Sequence, residues 1–324
     1  MDRRAAVRLM GAAGSAGGLG PAFGQSPFLA GLGMPYEAFD ALAKTRVTVD
    51  GGVISLAFAP GKLALDGVPI LSWVERAALS VWTYYDRFPV ASVRVLIVPV
   101  EGEGVRNGTT WGYGGAAIRM LLGQSAHLDD LDHDWKMTHE MVHLALPDLS
   151  RRHTWLAEGL AVYIEPVARV QAGYLDARTI WADMMRDMPR GLPVAGGGGL
   201  DNTFTWETIY WGGALFCLLA DVGYRRATGN RRGLQDAMRG ILAAGGNHEV
   251  EWPIGRVLDL ADQTAGAVVM RPLYETMRTE PVMTFLPGLW RDLGLQARPE
   301  GLALDDDAPL APIRRAITAK PRAG

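Results

Sequence analysis

Five consecutive residues constrain this chain more than any others: His139-Glu140-Met141-Val142-His143. Four residues make about one turn of α-helix, so the two imidazoles share a face and can reach one point. Glu140 falls about 100° round from His139, off that face but near enough to touch a water held there. The segment is therefore expected to be a helix whose histidine face looks onto open space. Histidine pairs at this spacing bind zinc, and a catalytic zinc takes three protein ligands and keeps a position for water.

The third ligand is expected at Glu158. It lies in Trp155-Leu156-Ala157-Glu158-Gly159-Leu160-Ala161-Val162-Tyr163, on the next helix by pattern. Fourteen residues separate it from His143, among them Pro147 and a polar run at 148–152. That length suits a helix, a turn and an antiparallel return. Gly159 has no side chain, which would let the second helix come close to the first. A carboxylate adds a hard oxygen and a negative charge, and two histidines with one glutamate make a catalytic zinc set. The expected ligands are thus His139, His143 and Glu158, holding one Zn2+ per chain. Glu140 is expected to be the general base.

The rest of the composition narrows the class. With 48% hydrophobic and 21% charged residues, the chain reads as globular, not disordered. The net charge is -3 and no basic stripe appears, so nucleic acid is not an expected partner. Cys217 is the single cysteine, in an apolar stretch, and cannot form an intramolecular disulfide. Residues 1–24 pair Arg3 and Arg4 ahead of a weakly apolar Ala/Gly run that ends in small residues. That is the shape of an export signal of the twin-arginine kind, which implies a periplasmic protein with no stable membrane insertion once mature.

Residues 47–69 alternate β-branched residues with Asp50-Gly51-Gly52 and Pro60-Gly61, and read as short strands and a hairpin. Residues 70–87 show helical spacing, and 91–100 are a near-continuous aliphatic strand. Residues 109–122 read as one further strand, at the sheet edge, with Gly112, Gly114 and Gly115 admitting a close neighbour. From 131 onward the pattern is helical: about 132–146, 154–168, 177–188, 206–222, 232–244, then two or more helices in 251–295. The tail from 298, with four prolines and Asp305-Asp306-Asp307, is expected to be loosely ordered. There is no internal repeat. The divisions are a signal at 1–24, a sheet-bearing part at 27–130, a helical zinc-binding part at 131–250, C-terminal helices at 251–297 and a tail at 298–324. Strands followed by helices make an α+β chain.

The motif residues carry a resemblance. His139-Glu140-Met141-Val142-His143 followed by the segment around Glu158 resembles the gluzincin zinc metallopeptidases, and the likeness extends over about 135–295. Ile209-Tyr210-Trp211-Gly212-Gly213-Ala214-Leu215 looks like the tyrosine-bearing helix of the aminopeptidase N and glycyl aminopeptidase families. The resemblance implies a zincin-like fold, a peptide or protein substrate, and a catalytic Tyr210 that hydrogen-bonds the oxyanion. Tyr163 and His153 are rivals for that task. Two departures stand out. Those aminopeptidases hold the substrate amine with a glutamate in a Gly-Ala-Met-Glu-Asn strand, and the comparable stretch, 111–117, has no carboxylate. A thermolysin-like aspartate four residues past the ligand glutamate is replaced by Val162, so another acceptor is expected to orient the histidines. A zincin-fold binding protein without catalysis, and a zinc hydrolase of a non-peptide amide such as a cell-wall fragment, are the alternatives to a peptidase.

Overall fold

The hairpin expected near the N-terminus forms as β1 (Lys44–Val49) and β2 (Gly52–Phe58), paired antiparallel across a turn at Asp50-Gly51. The computed structural model describes residues 28–29, 33–193 and 197–320, and the expected export signal at 1–24 lies outside them. Helix α1 (Gly67–Tyr85) buries Ile70, Trp73, Val74, Ala77, Val81 and Tyr84, the three-and-four spacing of one helix face. It carries the chain over to β3 (Ser92–Val100), which pairs parallel with β2.

The single strand expected over 109–122 is instead two strands, β4 (Val105–Trp111) and β5 (Ala117–Gly123), paired antiparallel. Gly114 and Gly115 both adopt positive φ, at 68° and 93°, and turn the chain between them. Gly112 meets the expectation of a close neighbour, since a Cβ there would lie 1.6 Å from the His248 carbonyl oxygen. Strand order is β1-β2-β3-β5-β4, which leaves β4 on the edge and β5 inside the sheet. The edge expectation thus holds for the first half of the segment only.

Helix α2 (Lys136–His143) carries the histidine motif. The Asp134 carboxylate accepts the Met137 N–H (2.9 Å) and the Trp73 indole N–H (3.0 Å), tying the helix start to α1. Regular α-helix ends at His143 rather than near 146, because the following turns tighten. Ala145 and Leu146 donate to the carbonyls three residues back. Helix α3 (Thr154–Gln171) carries Glu158. The helix expected over 206–222 begins as a π-turn, Thr208–Gly212, and continues as α4 (Gly213–Ala227). Gly159 does permit a close helix approach, but to α4 rather than α2. A Cβ on Gly159 would lie 2.2 Å from the Gly213 carbonyl carbon, and one on Gly213 would lie 2.0 Å from the Trp155 oxygen.

Further helices run over Ala177–Asp187, Leu234–Ala243, Ile254–Ala265, Met270–Met277 and Leu286–Asp292. The tail is not loosely ordered. Strands β6 (Leu295–Arg298) and β7 (Gly301–Leu304) pair as a hairpin, and Ala311–Thr318 is helical with its proline in the first turn. Arg314 is buried there and donates to the carbonyls of Leu293 (2.8 Å) and Gly294 (3.0 Å), while Leu310, Ile313 and Ile317 join the main core. Spaced apolar residues outweigh the prolines. The larger apolar core runs from Val47 to Ile317 and a smaller one gathers Phe28, Phe39, Ala57, Leu96 and Val98, so the α+β architecture is a small mixed sheet packed on helices. No helix among the described residues is long and apolar enough to cross a membrane.

Candidate metal centre

Helix α2 presents His139 and His143 one turn apart, their rings 4.8 Å between centroids and nearly perpendicular. Helix α3 brings Glu158 to both. Its Oε2 lies 3.2 Å from His139 Nε2 and 3.6 Å from His143 Nε2, and one ligand atom from each residue falls within 4.8 Å of the others. The spacing fits a shared ion, since zinc bonds of about 2.0–2.1 Å in a tetrahedron put ligand atoms roughly 3.3 Å apart. The donor chemistry fits as well. Three lone-pair-bearing atoms facing one another need a cation between them, or protons. Burial alone would raise the Glu158 carboxyl. The adjoining His143 and His139 outweigh it and hold the group well below the usual carboxylate range. For His143, burial works downward, but Glu158 and Glu140 keep the imidazole above its ordinary value.

Glu140 stands beside this cluster and outside it. It is 6% exposed, and the edge strand closes over it. Thr110 Oγ1 lies 2.7 Å from Glu140 Oε2 and 2.9 Å from the Glu140 carbonyl oxygen. A Cβ on Gly108 would sit 2.5 Å from Glu140 Cγ, so the strand can lie this close only with glycine at that position. Burial raises the Glu140 carboxyl, partly offset by His143, His139 and the Thr110 hydroxyl.

The π-turn aims Tyr210 at the same point. Its ring stacks on His139, centroids 6.0 Å apart at 6°, and meets the exposed Trp206 edge-on. A wider turn shifts side chains off ordinary helical register, a device common at functional sites. Burial raises the Tyr210 phenol, the Glu158 and Glu140 carboxylates raise it further, and a hydrogen bond with Glu158 adds to this. It therefore remains an O–H donor. The two rivals are elsewhere. Tyr163 is buried and donates to Asp221 Oδ2 (2.8 Å), and His153 pairs with Ser150 and Tyr274.

These groups line a cleft of about 750 Å³ between α2, α3, the π-turn and β4. Several of its residues carried no signal in the sequence. Gly108 read as the end of a polar, Gly-rich turn over 101–108, and Thr110 as an ordinary strand residue. Arg106, Asn107 and His248 also line the cleft. His248 arrives from a loop more than a hundred residues away and donates its backbone N–H to the Leu144 oxygen (3.1 Å). Burial and the nearby His143 lower its imidazole, with Asp148 and a Leu146 hydrogen bond working upward. The acceptor expected to orient His139 is not found among the described residues. His139 Nδ1 is buried without a hydrogen-bond partner, and the Trp135 ring packs edge-on to the imidazole at 5.3 Å. Packing by Trp135 and Tyr210 replaces the carboxylate. The strand segment facing Glu140 is 108–110, not the 111–117 stretch compared above, and it too has no carboxylate.

No protein-family model matches the chain, and no curated protein matches it in sequence. Solved structures do. An aminopeptidase N family protein from Idiomarina loihiensis superposes with a TM-score of 0.61 at 16% identity, covering 83% of this chain. The two chains share a fold. This chain spans 53% of the length of that one. An M1 zinc metallopeptidase from Deinococcus radiodurans superposes over 76% of this chain and 52% of its own, at 16% identity and a TM-score of 0.47. The α+β fold expected from the order of strands and helices is the fold observed, and it is the one shared with the aminopeptidase N family protein.

Proposed function

We propose that this protein is a zinc-dependent peptidase of the gluzincin type, with His139, His143 and Glu158 as ligands, Glu140 as general base and Tyr210 as oxyanion donor. One observation carries it: three ligand atoms converge from two helices, while a second acid, Glu140, is buried beside them and kept out of the set. A fold kept only for binding has no use for a carboxylate clamped in that position.

A zinc ion held by this set supplies Lewis acidity toward a carbonyl and makes a water-derived nucleophile available at neutral pH. Glu140 takes the proton from the attacking water and passes it to the leaving amine. Burial suits it to both steps, because its raised pKa brings proton uptake and release closer in energy near neutral pH. Tyr210 donates its O–H to the carbonyl oxygen as charge develops there. Strand β4, on the sheet edge, offers main-chain groups to an extended peptide lying along the cleft.

Two substitutions test this together. Glu140→Gln keeps size and polarity but cannot accept the proton. Zinc content should stay near one per chain while peptide turnover falls by about 10²–10⁴. Glu158→Gln removes a charged ligand, so zinc retention and melting temperature should both drop. Wild-type turnover in Glu140→Gln would overturn the mechanism. Full zinc occupancy in Glu158→Gln would overturn the ligand set.

A further inference from the structure

The edge strand is irregular where it enters the cleft. Val105 pairs with Leu122 and Asn107 with Leu121, so Arg106 is the extra residue of a β-bulge. Bulges bend the strand and re-aim side chains, and this one sets Arg106 among the residues lining the cleft. Arg106 is the cleft's arginine. The acidic residues of the same lining are Glu140 and Glu158, both occupied at the metal centre, and Asp148. Arg106 has no hydrogen-bond or ion-pair partner among the described residues.

A neighbouring cation provides a contrast. Lys136, at the start of α2, is 8% exposed; its Nζ lies 3.9 Å from Asp134 Oδ1 and 5.2 Å from the Trp135 ring centroid. Its charge is thus answered inside the protein. Arg106 lies near enough for the two positive charges to oppose each other, yet it has no carboxylate of its own. Beside it, the Asn107 Oδ1 is buried and unpartnered, an acceptor with nothing donating to it. A cation and an amide oxygen, both unsatisfied, stand together on the strand that would run along a bound peptide.

The geometry points to a peptide carboxylate as the group this end of the cleft receives: Arg106 pairs with it, and Asn107 accepts from an adjacent N–H. This rests on the peptidase reading and names its substrate class. It also agrees with the lack of any acid on β4 that could hold a substrate amine. A guanidinium suits the task because its planar fork can hold both carboxylate oxygens. The carboxylate can be an acidic side chain or a free chain end, and the test separates them.

The experiment uses the zinc-loaded protein and a peptide set in which single positions are Glu, Gln or Lys, each with a free or an amidated C-terminus. Rates are compared within each protein, and binding of the same peptides is measured calorimetrically with the inactive Glu140→Gln protein. The wild type should favour a carboxylate-bearing peptide over its neutral twin by about five-fold, the upper range for one solvent-exposed ion pair. The preference should fade as salt rises. It should fall to about one in Arg106→Gln and invert toward Lys in Arg106→Glu, with zinc content and melting temperature retained because Arg106 is exposed. A preference seen with Glu peptides identifies a side chain, and one lost on amidation identifies a chain end. Equal rates and equal binding across the charge series, or an unchanged ranking in Arg106→Glu, would overturn the inference. If the wild type cuts none of the peptides, the peptidase reading is at fault. The binding series then still decides Arg106, because charge ranking in the Glu140→Gln protein does not depend on turnover.

Discussion

The two walls of the cleft are built on opposite principles. On the helical side the charged groups are matched, although His139 Nδ1 is buried without a partner. Glu158 meets two imidazoles, and behind the cleft Tyr163 and Arg225 both bond Asp221 (2.8 Å each), while Gly159 and Gly213 let α3 and α4 touch backbone to backbone. On the strand side, Thr110 and Gly108 are fitted to Glu140, but Arg106 and Asn107 Oδ1 are left unsatisfied. A wall whose charged groups are paired with one another holds a fixed geometry. A wall with spare donors and acceptors is free to bond something that comes and goes. The contrast supports the proposals that the helices would hold the metal and that the strand would meet the substrate.

Three changes would break or sharpen this contrast. The largest effect is expected from Gly159→Val. Its new side chain would collide with the α4 backbone at Gly213, which cannot rotate away as a side chain could. Overpacking of this kind costs about 1–3 kcal/mol, occasionally more. It should also move Glu158 off its histidines, so melting temperature and zinc content should fall together. A Gly159→Val protein with normal zinc and normal melting would mean that the helical wall is not the rigid one.

Tyr210→Phe comes next. The ring remains stacked on His139, so zinc content should be unchanged while turnover falls roughly 10²–10³, as for one oxyanion donor. Loss of zinc would instead show the hydroxyl to be holding Glu158 in place.

The smallest effect tests the strand wall. Thr110→Val removes the hydroxyl that bonds Glu140 and keeps the shape. Losing one hydrogen bond to a charged group is worth about 1.5–3 kcal/mol, so kcat should fall by about ten-fold or more, with KM little altered. Thr110→Ser should recover most of the rate. Equal loss in both variants would point to packing rather than to the hydroxyl.

The spacing in the sequence was enough to bring His139, His143 and Glu158 together, because helical periodicity places residues four apart on one face whatever surrounds them. The short return from His143 to Glu158 then left few ways to arrange the two helices. The same local physics marked the aliphatic strand β3, the Asp50-Gly51 turn and the start of α3. Where readings went wrong, a local rule met a longer-range one. The strand expected over 109–122 is broken by a turn at Gly114 and Gly115, whereas Gly112 does admit a close neighbour, the His248 carbonyl. Prolines and aspartates after 298 looked like a loose tail, but Arg314, Ile313 and Ile317 found buried partners far back in the chain.

By itself, the sequence determined the three residues that could hold a metal, the α+β class and the helix that carries Glu140, since these depend on helical spacing, short connections and element order. Only the tertiary structure decided which strand faces Glu140, that Gly159 serves α4 rather than α2, that a π-turn aims Tyr210, and that Arg106 and His248 belong to the same cleft. Those features arise from contacts between segments tens to more than a hundred residues apart. Local periodicity carries no record of such pairings, which are set by how the sheet and helices share one buried core.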